Sequence, residues 1–182
     1  MPAGCKSGPA TAHLRWMTQP LALSDQRHLD AADGWLGLGN WHEANEELEQ
    51  IGPQMRAHPA VLETRLLVYT MAKKWEGAVE IARTVSELEP DKPCGFIQWA
   101  YALHELKRTA EAQAVLLPVV DRFPRDQTMR YNLACYACQL GDLKEALRWL
   151  KAAIDLAGRH DIRQMALDDP DLEPLWKLIG EV

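Results

Sequence analysis

No stretch of this 182-residue chain approaches the roughly 20 consecutive apolar residues that a membrane-spanning helix needs. The opening residues, MPAGCKSGPATAHLRW, also lack the apolar core of a secretory signal, so the expectation is a cytoplasmic protein without membrane insertion. A cationic surplus is missing as well. Twenty Lys and Arg against 26 Asp and Glu give a net charge of -6, with the two signs interspersed, which argues against the basic stripe of a nucleic-acid surface. Cysteines are few: Cys5, Cys94, Cys135 and Cys138 fall at no spacing that suggests a disulfide framework, and reduced thiols are expected. No nucleophile and base stand in a recognisable pairing, and there is neither a phosphate-cradling glycine loop nor a metalloprotease helix. His28, His42, His58 and His160 scatter near expected helix ends and turns, and Glu43, Glu46, Glu47 and Glu49 read as a solvated helix face. These absences together point away from an enzyme and from a cofactor.

What is present is a hydrophobic content of 47%, enough for a continuous core, and a repeating pattern. The first 24 residues are rich in Pro, Gly, Ser, Thr and Ala without helical periodicity and read as a mobile tail, in which Met17 is a second candidate start. Ser24 reads as the N-cap of the first helix. From there the chain is paced by a small residue, Ala44, Ala78, Ala112 and Ala146, recurring every 34 residues. In the same register lie Trp35, Tyr69, Leu103 and Ala137 before it, and Leu48, Ala82, Leu116 and Leu150 after it. Turns fall between the two sets at Gly39-Asn40, Lys73-Lys74, Lys107-Arg108 and Gly141-Asp142. Pro90 and Pro124 stand where a second helix must stop, and Gly52-Pro53 ends the first copy sooner. Each copy is therefore a pair of amphipathic helices, with alanine where the two axes come closest.

These residues resemble the tetratricopeptide repeat (TPR), and YNLACYACQLGDLKEALRWLKAAIDL from Tyr131 to Leu156 is the clearest copy. The resemblance implies an all-α solenoid, a right-handed superhelix of four helical hairpins at 25–58, 59–92, 93–126 and 127–160, with a capping helix in 161–182. In the cap, Leu172, Leu175, Trp176, Leu178 and Ile179 are spaced to cover the last open apolar face, and DPDLEPLW looks like the ending common in bacterial TPR proteins.

The family also implies a function, a scaffold or adaptor that holds a protein or peptide partner on the concave face lined by the first helix of each pair. Carried onto this chain, the inward positions are Leu29, Asp33 and Leu36 in the first repeat and Glu63, Leu67, Thr70 and Met71 in the second. The third contributes Ile97, Tyr101, His104 and Glu105, and the fourth Tyr131, Asn132, Cys135, Cys138 and Gln139. Leu67, Tyr101 and Tyr131 are the expected anchors in a lining that suits an apolar segment or amphipathic helix. The cations with which one TPR subclass clamps chaperone tails are missing, since Leu29, Asp33, Thr64, Cys94 and Gln98 take their places. Small acidic bacterial TPR proteins are often chaperones for secreted proteins, which is the alternative within this class. A redox or zinc-binding role at Cys135 and Cys138, with His104 one repeat earlier, is the alternative from another class. A short array with imperfect caps can also associate weakly with a copy of itself.

Overall fold

A computed structural model describes residues 19–157 and 159–179. The tail expected before Ser24 lies almost wholly outside them, as do Cys5, Met17 and residues 180–182 of the expected cap. Every regular element among the described residues is helical. They are α1 (Leu23–Gly37), α2 (Trp41–Gln50), α3 (Pro59–Met71), α4 (Trp75–Leu88), α5 (Pro93–Glu105), α6 (Thr109–Leu116), α7 (Gln127–Gln139), α8 (Leu143–Ala157), α9 (Arg159–Asp168) and α10 (Trp176–Ile179). Short 3-10 turns occupy Pro53–Met55, Val120–Arg122 and Pro170–Leu175.

The turns that the sequence places 34 residues apart share one backbone conformation. Gly39, Lys73, Lys107 and Gly141 have φ of 77°, 54°, 62° and 87°, so each is a left-handed residue closing the first helix of a pair. Glycine adopts that conformation freely; a lysine there carries a steric cost of about 1–2 kcal/mol. Lys107→Gly is accordingly expected to raise stability by about 1 kcal/mol, the gain being trimmed by the greater freedom of glycine in the unfolded chain. Chemical denaturation with an unchanged m-value would register it, and a destabilised variant would contradict the strain assignment. Asn40, Asp126 and Asp142 cap the helices that follow them, accepting from the amides of Glu43 (3.3 Å), Met129 (2.8 Å) and Glu145 (3.0 Å). The expected cap at Ser24 does not form. Ala22 occupies that position without a side-chain bond, and the helix has already begun at Leu23. Asp25 is instead buried and accepts from the Gly52 amide at 3.2 Å, tying the start of α1 to the chain leaving α2.

The chain divides into two compact units, one ending at Lys73 and the other beginning at Lys74, so the boundary falls at the turn inside the expected second repeat. In the first unit α1 and α2 pair and α3 packs on both. Leu29, Ala32, Ala44, Leu48, Ile51, Val61 and Val68 form its core. Arg65 in α3, which breaks the repeat's apolar pattern, reaches back to α2, donating to the Glu49 carboxylate at 2.7 Å and the Leu48 carbonyl at 3.3 Å. The hydrogen bond from Arg65 holds the Glu49 carboxyl below the usual carboxylate range.

In the second unit α4 packs on α5, α5 on α6, and α7 on α8. All four pacing alanines are fully buried. The second helix of the third repeat departs from expectation. Instead of running toward Pro124, α6 stops at Leu116, because Pro118 has no amide hydrogen with which to carry the helical hydrogen bonding on. The cap also differs from the single helix expected. Beyond α8 come α9, then the turn Pro170–Leu175, then the four-residue α10. Leu172, Leu175 and Ile179 are buried as anticipated, whereas Leu178 is exposed and Trp176 is half-buried, its indole donating to the Ala166 carbonyl at 3.1 Å. The larger surprise is where this segment goes: α9 lies on α8, but Pro170–Leu175 packs against α7.

Candidate functional site

The inward positions of the first helices behave differently in the two units. In the first, α1 and α3 leave a hollow of about 600 Å³ between them, lined by Asp33, Leu36, Gly37, Glu63, Thr64, Leu67, Thr70 and Met71. Leu67 and Met71 are 44% and 40% exposed, a high value for aliphatic side chains projecting from adjacent turns of one helix. Asp33 and Glu63 put carboxylates among them, and Thr64 fixes Asp33 by donating its hydroxyl at 2.9 Å. Leu29 does not belong to this surface. It is 5% exposed and packs in the core with Ala32 and with Ala44 and Leu48 of α2. Leu36 lies between the two situations, half-buried against that core and still part of the lining.

In the second unit the corresponding face of α5 and α7 is covered by the chain itself. Ile97, Glu105 and Asn132 are half-buried, and Tyr101, 37% exposed, meets Trp75 edge to face at 5.7 Å. Burial and then the neighbouring Glu105 push the Tyr101 phenol up. His104, Tyr131, Cys135 and Cys138, expected to line an open groove, are instead buried. They lie under Asp169–Leu175. The Tyr131 hydroxyl donates to Asp169 Oδ2 at 2.7 Å and the Cys135 thiol approaches the same oxygen at 3.5 Å. His104 Nε2 donates to Asp171 Oδ2 at 2.8 Å while the Thr109 hydroxyl stands 3.0 Å from Nδ1. Gln139 completes the set, its side-chain amide donating to the Asp171 carbonyl at 3.0 Å.

This covering bears on the thiol chemistry that the Cys135 and Cys138 spacing suggests. Burial first, and the Asp169 carboxylate next, push the Cys135 thiol far above its ordinary value. Cys138 is raised too, by burial and then by Asp171 and Asp169. A redox nucleophile has to ionise, and the surroundings of both thiols oppose that. No group of three His, Cys, Asp or Glu positioned for a metal ion occurs among the described residues.

A second hollow, of about 570 Å³, opens between α4, α5 and α6 where the short α6 leaves space. Phe96, Trp99, Leu103 and Pro118 line it. The residues that sequence reasoning missed are Asp169 and Asp171. Their signal was the run DDPDLEPLW, in which alternating acids and two prolines mark a segment that cannot be an ordinary helix; helical spacing of its leucines pointed to a cap instead.

No family model matches the chain, and no curated protein matches it in sequence. Solved structures do resemble it. MamA 41-end from Desulfovibrio magneticus RS-1 superposes with a TM-score of 0.70 at 18% identity, covering 89% of this chain and 92% of that one. MamA MSR-1 C2 gives 0.63 at 22% identity, over 74% of this chain and 78% of that one. A thermophilic TPR protein from Thermus thermophilus gives 0.64 at 16% identity, over 88% of this chain and 83% of that one. At such identities the likeness shows the fold, an all-α solenoid of TPR type.

Proposed function

We propose that this TPR-type chain is a non-enzymatic cytoplasmic scaffold that holds a segment of a partner protein against the first-helix face of α1 and α3. The observation that carries the reading is the hollow between those helices, with Leu67 and Met71 held exposed above it on rigid helical backbone. An apolar side chain of the partner would fill the hollow, displacing water from Leu36, Leu67 and Met71, and methionine's flexible thioether adapts to its shape. Asp33 and Glu63 favour a partner segment whose apolar anchors are flanked by Lys or Arg, and disfavour an acidic one. No described helix is long and apolar enough to cross a membrane.

The test pairs Leu67→Glu with Met71→Glu and measures partner capture against wild type, with far-UV helicity as the control. Capture is expected to fall about tenfold or more, since two charged side chains would have to be desolvated in an apolar contact. Leu156→Glu, on the exposed part of α8, is expected to leave capture unchanged. Undiminished capture by the double variant would place binding elsewhere.

A further inference from the structure

The face of α5 and α7 raises a separate question from the α1–α3 hollow, because something is already bound to it. Asp169–Leu175 is seated there as a ligand would be. Pro170 and Pro174 lack amide donors, and the start of the 3-10 turn is fixed by Leu172 N to the Asp169 carbonyl (3.0 Å) and Asp171 N to Asp169 Oδ1 (2.9 Å). Its placement depends on readers from outside it. Two carboxylates are met by three different donor side chains, the Tyr131 hydroxyl, the Cys135 thiol and the His104 imidazole; Gln139 meets a carbonyl, and Leu172 and Leu175 are buried completely.

A surface destined only to be core would be expected to be apolar, since polar groups buried in pairs give little net stability. A surface that is sometimes covered and sometimes wet needs groups satisfied in both conditions. Tyr, His, Gln and Cys meet that requirement: water can serve them when the face is open, and the two aspartates serve them when it is closed. Thr109 of α6 meets the other ring nitrogen of His104 at 3.0 Å, a contact that does not involve the segment.

We infer that the α5–α7 face is a recognition site for an acidic-apolar turn peptide of the form Asp-Pro-Asp-Leu-x-x-Leu, which the chain's own Asp169–Leu175 occupies and a partner protein bearing the same chemistry enters by displacing it. The tether makes the competition steep. A tethered segment acts at an effective concentration in the millimolar range, so an untethered peptide binds measurably only when the resident segment is weakened.

The experiment uses the full chain and a fluorescent synthetic peptide of residues 168–179, DDPDLEPLWKLI. The variant carrying Asp169→Asn, Asp171→Asn and Leu172→Ala is expected to bind the peptide at least about tenfold more tightly than wild type. Adding His104→Ala and Tyr131→Phe should lower that affinity about tenfold, and a peptide with both aspartates changed to asparagine should bind equally poorly. Alkylation of Cys135 supplies a second readout: faster in the weakened variant than in wild type, and slowed again by the peptide. Should the weakened variant lose its helicity, wild type alone still decides the matter by hydrogen exchange. The amides of Asp171 and Leu172 are then expected to exchange about tenfold or more faster than those in the middle of α7. Equal protection of the segment and α7, a helical weakened variant that ignores the peptide, or a wild type that exchanges the segment between two copies in a dimer would each overturn the inference.

Discussion

Gly95→Ala is expected to cost about 3 kcal/mol and to lower the thermal midpoint by several degrees, a large effect for one added methyl group. Gly95 lies in the first turn of α5, buried against α4. A β-carbon there would stand 2.6 Å from the Ser86 amide nitrogen and 2.8 Å from its α-carbon. Those atoms are helical backbone and cannot rotate aside as the tip of a long side chain would, so the whole of α4 must shift. Helix propensity works in the opposite direction, favouring alanine by roughly 1 kcal/mol at an interior position, which makes a net loss informative. A variant melting with or above wild type would show that α4 and α5 do not approach this closely.

Ala146→Leu is expected to cost roughly 1–3 kcal/mol through the same physics at the α7–α8 crossing. Ala146 is completely buried, as are Leu133 and Ala134 of α7, and the added bulk of leucine would force the axes apart. The register makes this more than a local statement. Ala44, Ala78 and Ala112 hold equivalent places and are equally buried, so the measured loss reports on the close-packing rule that paces the chain. Denaturant unfolding of the variant, read against wild type with an unchanged m-value, gives the number directly. An unaltered midpoint would mean that the alanine period reflects composition and not contact.

The repeat was legible because it is written in residues whose roles are local. Alanine marks a close crossing, and Gly39 and Gly141 mark left-handed turns. Once the period was set, Lys73 and Lys107 could be assigned the same turn position although lysine does not announce it. Pro118 was equally visible, yet the sequence reading places the stop of that helix at Pro124, and α6 ends before Pro118.

The candidate site was less legible, for a physical reason. Periodicity says which face of a helix is apolar; it does not say what will cover that face. Leu67, Thr70 and Met71 border an open hollow, whereas Leu29, placed by the same register, turns into the core. Tyr131 and His104 are covered by residues far along the chain: Asp169 comes to Tyr131 across 38 residues of sequence and Asp171 to His104 across 67. Contacts of that range leave no local pattern. The aspartates read as punctuation around prolines, and only the fold shows that their carboxylates have partners.

Whether the first-helix face of α1 and α3 holds the partner is tested most directly by site-specific photo-crosslinking in the native cell. A photoreactive residue replacing Leu67 is expected to yield a discrete adduct with another protein, while the same residue replacing Leu156 yields none. An adduct formed from position 156 and absent from position 67 would contradict the account.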